Sequence, residues 1–224
     1  MLESFILKRS RESSIKTMNS ETVVLVHGVG LRGAEIFPLR CRLQKFGYKC
    51  LQFSYAAWRN SLSENAASLN KFLVPLEADV IHFVGHSLGG LVIFQLFADY
   101  CEQRPGRIVT LGTPHNGSRV ADKLKRTFFG KFLLGRTVMT GLGFGKSPPI
   151  PAKDVGVIAG SLDIGSGWLM GVPRPNDSLI AVDETQVAGI KNHIVLPVSH
   201  TGLLITKSVA RQTHAFLQTG HFFK

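Results

Sequence analysis

Ser87 is the residue whose type and surroundings indicate chemistry most directly. It is the central residue of a Gly-His-Ser-Leu-Gly motif at 85–89, between an apolar run at 80–84 and a run of helical character at 88–100. The glycines two positions before and after the serine have no Cβ to crowd a sharp turn from strand to helix. Such a turn holds the serine Oγ clear of the backbone, where it can attack a substrate. The motif and its context therefore predict a nucleophilic serine.

A serine nucleophile also needs backbone N–H groups that bind the oxyanion formed during attack. One is expected at Leu88, directly after the serine, where the dipole of the following helix favours negative charge. The other is expected at Val29, in the glycine-containing turn at 27–30 after the first predicted strand. A nucleotide-binding loop would also place glycines here, but no acidic residue ends the second predicted strand at Phe53.

The general base is sought among eight histidines, and position in the chain decides between them. In parallel α/β sheets the site lies after the carboxyl ends of strands, and the expected chain order is serine, acid, histidine. His200 follows the last predicted strand, 193–198, and fits this order. His86 is expected to point away from the serine. The others are expected to be structural or lie at unsuitable positions: His27, His82, His115, His193, His214 and His221.

The orienting acid is expected after the predicted strand at 155–159, and three aspartates follow that strand. Asp163 lies in a glycine-rich stretch, where a salt bridge or a loop cap explains it equally well. Asp177 follows a Pro-Asn turn that could aim its carboxylate, and Asp183 is the third candidate. Spacing favours Asp177 over Asp163 but leaves the choice open.

The elements that must position these residues alternate between strands and helices. Strands are predicted at 22–26, 48–53, 80–84, 107–111, 155–159 and 193–198. Helices are predicted at 35–46, 62–73, 88–100 and 203–217. This alternation predicts a parallel sheet covered by helices on both faces. The fold class is therefore α/β, with about six mainly parallel strands in one domain at 21–220.

Composition restricts the class of protein further. No apolar run among the 224 residues is long enough to span a bilayer, and residues 1–20 lack the order of a secretory signal and are expected to form a flexible leader. The three cysteines have an odd count and no metal-ligand spacing, which favours a reducing compartment, the cytoplasm. We expect no metal and no organic cofactor.

The net charge of +11 is concentrated in one segment, where 121–153 combines seven basic residues and one acidic residue with many Phe and Leu. This pattern is typical of a solvated basic face over the core, or of docking on an anionic membrane surface or on acyl chains. No nucleic-acid-binding module is recognisable, so a nucleic-acid partner is not expected.

Four blocks of the sequence together resemble the small, minimal-fold bacterial-type lipases and esterases of the α/β-hydrolase superfamily. They lie at 26–30, 85–90, 111–118, and 175–177 with 200–204. The resemblance implies Ser87 as nucleophile, Asp177 as acid and His200 as base, and it moves Asp177 ahead of Asp163. It also implies that the segment 119–153 is a lid-like insertion. Many relatives have glycine after the acid, where this chain has Ser178, a difference that leaves the carboxylate in place.

The sequence therefore predicts a serine hydrolase that cleaves carboxylic esters, including lipids, through an acyl-enzyme. An acyltransferase would use the same residues and pass the acyl group to an alcohol or a lipid instead of water. A non-catalytic lipid- or nucleic-acid-binding protein on the same fold is the further alternative, supported only by the charge.

Overall fold

A computed structural model of the chain describes residues 21–29, 33–142, 147–190 and 192–223, without the side chains of 128–133. The described strands are β1 (Glu21–Val26), β2 (Lys49–Phe53), β3 (Val80–His86), β4 (Ile108–Leu111), β5 (Val155–Gly160) and β6 (His193–Leu196). They form a parallel sheet in the order β2-β1-β3-β4-β5-β6. The prediction of an α/β fold with about six parallel strands is confirmed. The predicted leader, 1–20, lies outside the described residues.

Eight described α-helices surround the sheet. They are α1 (Phe37–Lys45), α2 (Leu62–Leu73), α3 (Leu88–Asp99), α4 (Arg119–Lys125), α5 (Phe128–Gly141), α6 (Ser166–Met170), α7 (Gly202–Ile205) and α8 (Lys207–Thr219). Short 3₁₀ helices lie at Ala34–Ile36 and Val182–Thr185. Over the part of the chain that is described, none of the helices combines the length and the apolar character needed to cross a membrane.

The sheet is covered on both faces, which explains why its strands read as unbroken apolar runs. Successive side chains of a strand point to opposite faces. In β1, Val24 packs in a core layer with Leu91 of α3, whereas Leu25 packs in the opposite layer with Leu39 of α1 and Phe216 of α8. All of these side chains are buried. Burial on both faces is the arrangement expected for a parallel sheet.

Helix α2 begins and ends where the sequence predicts, at 62 and 73. Its N-terminus has a reciprocal capping box, in which the Ser61 hydroxyl accepts from the Glu64 N–H and the Glu64 carboxylate accepts from the Ser61 N–H. These local hydrogen bonds satisfy two backbone donors that the helix itself cannot satisfy. The boundary is therefore encoded within a few residues.

Two predicted elements near the carboxyl terminus of the chain have different bounds. Strand β6 ends at Leu196 and not at 198, because Pro197 has no N–H to donate to the sheet. The helix predicted at 203–217 is divided into α7 and α8, since Thr206 has an extended backbone with φ −87° and ψ 137°. His200 thus lies in a short loop between β6 and the small helix α7.

The segment 119–153, between β4 and β5, contains α4 and α5. Helix α5 is interrupted at Gly135, whose φ of 69° and ψ of 167° are not helical. A Cβ at this position would lie 2.7 Å from the Cα of Trp58, so glycine permits the close approach. The next two N–H groups donate to the loop before α2: Arg136 to the Trp58 carbonyl and Thr137 to the Ala57 carbonyl. The second half of α5 is therefore fixed to the body of the protein.

Candidate active site

Ser87 lies at the turn between β3 and α3, with φ 51° and ψ −125°. This positive φ is unfavourable for a residue with a side chain and is the strained conformation of a nucleophile elbow. A Cβ at Gly89 would lie 2.2 Å from the Val26 carbonyl oxygen, and one at Gly85 would lie 2.6 Å from the Cα of Gly90. Both flanking glycines are therefore required by close backbone contacts, as the motif predicts.

Asp177 is buried, and both of its carboxylate oxygens accept hydrogen bonds. Oδ1 accepts from the backbone N–H groups of Leu179, at 3.0 Å, and of Ile180, at 2.8 Å. Oδ2 lies 2.7 Å from Nδ1 of His200. The Asp177 side chain is only 1% exposed, so the carboxylate itself is shielded from water. A buried carboxylate with these partners holds a fixed direction.

His200 is bound through both its ring and its backbone to the loop at 171–181 that contains Asp177, which we call the acid loop. The backbone N–H of His200 donates to the Asp177 carbonyl at 2.7 Å, and Nδ1 donates to the carboxylate. With the proton on Nδ1, the lone pair of the ring is on Nε2, as a general base needs. The hydrogen bonds therefore set both the orientation and the tautomer of the imidazole.

A cavity of about 360 Å³ is lined by Ser87 and His200 together. Val29 and Leu88, the predicted oxyanion residues, line it as well. Its remaining walls are mainly apolar and include Leu124, Leu134, Val138, Leu142, Leu179 and Ile180. Several of these side chains belong to α4 and α5, so the segment 119–153 contributes one side of the cavity. The arrangement offers an apolar site with a few polar groups at one end, a usual composition for a small-molecule site.

The turn that carries Val29 is braced by His27 and Tyr55. The Tyr55 N–H donates to Nε2 of His27 at 3.3 Å, so Nδ1 carries the ring proton and donates to the Gly28 carbonyl at 2.6 Å. The Tyr55 hydroxyl donates to the His27 carbonyl at 3.0 Å, and the two rings are stacked. Burial lowers the pKa of His27 and so favours the neutral ring. The brace acts directly on the peptide bond between Gly28 and Val29.

That brace has a geometric consequence for the Val29 N–H. The Gly28 carbonyl and the Val29 N–H belong to one planar trans peptide and point in opposite directions. Fixing the carbonyl of Gly28 therefore fixes the direction of the Val29 N–H. The sequence indicates His27 only as a candidate base and does not predict this contact. Its position directly before Gly28 is the signal that could have indicated it.

The two competing aspartates have other partners. Asp163 accepts from the backbone N–H groups of Gly165, Gly167 and Trp168, at 2.9 to 3.1 Å, and so caps the N-terminus of α6. These hydrogen bonds lower the pKa of its carboxyl. Asp183 forms a bidentate ion pair with Arg119, at 2.9 and 2.7 Å. Among the three candidates, Asp177 is the one that contacts His200.

His86 lies against the site, so the prediction that it points away from the serine is wrong. Its ring packs on the ring of His200, with centroids 4.6 Å apart, and its Nε2 lies 3.3 Å from the His200 carbonyl oxygen. Burial, and secondarily the proximity of His200, lower the pKa of His86 well below its ordinary value. A neutral His86 packs against the His200 ring without placing a positive charge beside it.

Ser178, the residue directly after the acid, has a φ of 88°. Glycine adopts this conformation more easily than serine does. The Ser178 N–H donates to the Asn176 side chain at 2.9 Å, and its hydroxyl accepts from the Ile164 N–H at 2.8 Å. The serine therefore connects the acid loop to the segment that precedes α6.

Among the described residues, no group of three or more His, Cys, Asp or Glu side chains is arranged to hold a metal ion.

Comparisons with known proteins identify the fold. The structure is similar to mature lipase BlEst2 from Bacillus licheniformis, with a TM-score of 0.74, 17% identity, and coverage of 93% of this chain and 95% of that chain. A pyrethroid hydrolase, PytH, is similar with a TM-score of 0.64, 14% identity, and coverage of 89% of this chain and 98% of that chain. Carboxylesterase CesB (YbfK) from Bacillus subtilis is similar with a TM-score of 0.55, 13% identity, and coverage of 92% of this chain and 86% of that chain. No family model and no curated protein matches the sequence.

The parallel sheet, the strained serine after β3 and these similarities define the class of the fold. The chain has the fold of a small α/β-hydrolase.

Proposed function

We propose that this protein is a serine esterase of the lipase type, which hydrolyses carboxylic esters through an acyl-enzyme at Ser87. The observation that carries the proposal is the Asp177–His200 pair, joined at 2.7 Å, because His200 of this pair lines the same apolar cavity as a serine in elbow geometry. The lipase, carboxylesterase and pyrethroid hydrolase that share the fold support ester cleavage as the reaction class.

In the proposed mechanism, Nε2 of His200 removes the proton from the Ser87 hydroxyl as Oγ attacks the ester carbonyl carbon. Asp177 keeps the other ring nitrogen protonated and stabilises the imidazolium that forms. The carbonyl oxygen becomes an oxyanion, which accepts hydrogen bonds from the N–H groups of Val29 and Leu88.

Collapse of the tetrahedral intermediate expels the alcohol, which takes the proton from His200. A water molecule then transfers a proton to the same nitrogen and attacks the acyl-enzyme, releasing the carboxylic acid and restoring Ser87. The Gly28–Val29 peptide must keep its direction through both steps, and the His27 contact at 2.6 Å supplies that constraint. His27 acts here as a positioning residue.

The cavity favours an apolar acyl group of short to medium length. Its walls are formed largely by Leu, Val and Ile side chains, and its volume of about 360 Å³ is at the small end for ligand sites. A series of p-nitrophenyl esters of increasing acyl length should therefore show its highest kcat/KM before the longest chains.

Labelling with a fluorophosphonate tests the nucleophile. The native chain should be labelled and should cleave p-nitrophenyl esters, while Ser87→Ala should lose both, with kcat lower by about 10⁴-fold or more. Ser68→Ala, on the exposed side of α2, is the matched control and should behave as the native chain. Labelling of Ser87→Ala at the native rate would overturn the assignment.

Product analysis separates hydrolysis from acyl transfer. In the presence of a competing alcohol, a hydrolase releases mainly free acid, whereas an acyltransferase releases mainly the new ester. If the native chain is neither labelled by the fluorophosphonate nor able to cleave esters, it would be a non-catalytic binding protein on this fold.

A further inference from the structure

Five large apolar side chains are exposed within nine consecutive residues around α6. We call them the apolar tip: Leu162, Ile164, Trp168, Leu169 and Met170. Ile164 is 72% exposed, Trp168 74% and Leu169 77%. Single exposed apolar residues are common on soluble proteins, but a local group of this kind marks a surface that contacts a membrane or another protein.

The backbone under the apolar tip is well fixed, so its exposure is not the result of a frayed end. Asp163 accepts three N–H groups at the start of α6, and the Ser178 hydroxyl accepts the Ile164 N–H at 2.8 Å. After the helix, Val172 is buried against Val120 and Ala181. The protein therefore holds these apolar side chains outward on a preorganised support.

The apolar tip lies next to the cavity of the candidate active site. Val172, two residues after the tip, packs in a cluster with Val120, Leu124 and Leu179, and these three residues also line the cavity. The tip also contacts the acid loop through Ser178, the neighbour of Asp177. A surface that covers the tip would therefore be adjacent to the site where an ester is cleaved.

The charge beside the apolar tip favours an anionic partner. Lys123, on α4, donates from Nζ to the Met170 carbonyl at 3.3 Å, and Arg174 is exposed four residues after Met170. The acidic residue inside the segment, Asp163, already accepts three backbone N–H groups. A second copy of a chain with a net charge of +11 is disfavoured by repulsion, whereas an anionic lipid surface is attracted.

We infer that the apolar tip, with Lys123 and Arg174 beside it, docks this protein on an anionic lipid bilayer. Trp168 and Leu169 would enter the boundary between headgroups and acyl chains, and the two cations would remain at the phosphate level. Docking does not require ester hydrolysis, so it can be measured independently of the proposed activity. It would bring ester-containing lipids next to the cavity.

Vesicle cosedimentation of full-length Ser87→Ala tests the proposal without turnover of lipid. Binding should be clear with vesicles of phosphatidylcholine and phosphatidylglycerol, and weaker with phosphatidylcholine alone or at high salt. Adding W168S and L169S should weaken partitioning at least about tenfold, since two large side chains lose their burial. V74S with F223S, which removes two similarly exposed apolar residues elsewhere, is the matched control and should change binding less than about twofold.

Two further measurements distinguish a lipid bilayer from a second copy of the chain as the partner of the apolar tip. On vesicle binding, the fluorescence of Trp168 in a Trp58→Phe background should shift to shorter wavelength, as expected for an indole that leaves water. Native binding by the W168S, L169S variant would overturn the proposal. A dimer in solution that the same variant dissociates, with no vesicle binding by the native chain, would also overturn it and would assign the tip to self-association. Retained esterase activity in a variant that no longer binds vesicles would leave the proposed function intact.

Discussion

The loop of Asp177 and the neighbouring apolar tip both lie at the carboxyl edge of the sheet, and similar hydrogen bonds to backbone N–H groups hold them. They differ in the exposure of their side chains. Asp177 is 1% exposed, whereas Trp168 is 74% exposed. The acid faces inward, where a fixed partner defines its direction. The tip faces outward, where a variable lipid surface needs apolar area but no fixed geometry. In the roles that we propose, rigid support therefore serves catalysis in one loop and membrane contact in the other.

The largest effect is expected from the acid. Asp177→Asn preserves shape but cannot favour the Nδ1 tautomer or the imidazolium of His200, so kcat should fall by about 10⁴-fold. Asp163→Asn, at the cap of α6, should keep kcat within a few-fold of native. Steady-state kinetics with a soluble p-nitrophenyl ester measures both. The reverse result would give the acid's role to Asp163 and break the distinction between the two loops.

The contrast between buried and exposed side chains can also be tested at His115, through the stability of the protein in acid. This residue is buried, its Nε2 lies 3.1 Å from the Thr110 hydroxyl, and desolvation lowers its pKa to about 3. In the unfolded chain this histidine binds a proton more readily than in the folded protein. Its neutral, buried form therefore contributes its full stability above pH 6.5, and this contribution is lost as the pH falls toward 3. Between about pH 7 and pH 4 this histidine should remove roughly 3 kcal/mol of unfolding free energy.

Urea unfolding at several pH values tests that expectation. His115→Gln should lower the stability at neutral pH but flatten its decrease toward acid, while the exposed His221→Gln should leave the slope unchanged. Equal slopes in the native chain and in His115→Gln would mean that His115 is not held neutral by burial.

The brace of the oxyanion turn is expected to have an intermediate effect. His27→Ala removes the bond to the Gly28 carbonyl, and we expect kcat to fall about tenfold with little change in KM, less than for a lost donor. His27→Asn, which can again donate to that carbonyl, should recover part of the rate. A loss that appears in KM alone, or no recovery with Asn, would contradict a positioning role.

The smallest effect is expected at the apolar tip in the absence of lipid. The W168S, L169S variant should change the unfolding free energy by no more than about 0.5 kcal/mol, because exposed side chains contribute little to the core. Its kcat/KM for a soluble short ester should stay within about twofold of native. Thermal unfolding and steady-state kinetics check both. A large loss of stability would mean that the tip is packed in the protein and not presented to a partner.

Much of the fold could be predicted from the sequence because its signals are local. Apolar runs gave the strands, the capping pair Ser61 and Glu64 defines the start of α2, and the glycines around Ser87 are required by the turn itself. Where a boundary depends on a missing donor, as at Pro197, the pattern of apolar residues alone predicted a strand that is too long.

The candidate site was less predictable because its contacts are distant in sequence. Ser87, His200 and the oxyanion turn could be proposed from motif and chain order, but spacing left three aspartates as candidates for one histidine, and it was the resemblance to lipases that moved Asp177 ahead. The choice depends on which carboxylate reaches Nδ1 of His200, and that distance is a property of the folded loops. The contact between His27 and Tyr55 likewise joins residues that are distant in sequence, because they follow the ends of the neighbouring strands β1 and β2.

By itself, the sequence determined the α/β class and the serine at a sharp turn, since alternating apolar runs and glycines without a Cβ act through their nearest neighbours. Only the tertiary structure decided that Asp177 is the partner of His200 and that the apolar residues at 162–170 remain outside the core. Both outcomes depend on what lies opposite a side chain after folding. An aspartate or a tryptophan carries no local signal of whether protein, solvent or another surface will cover it.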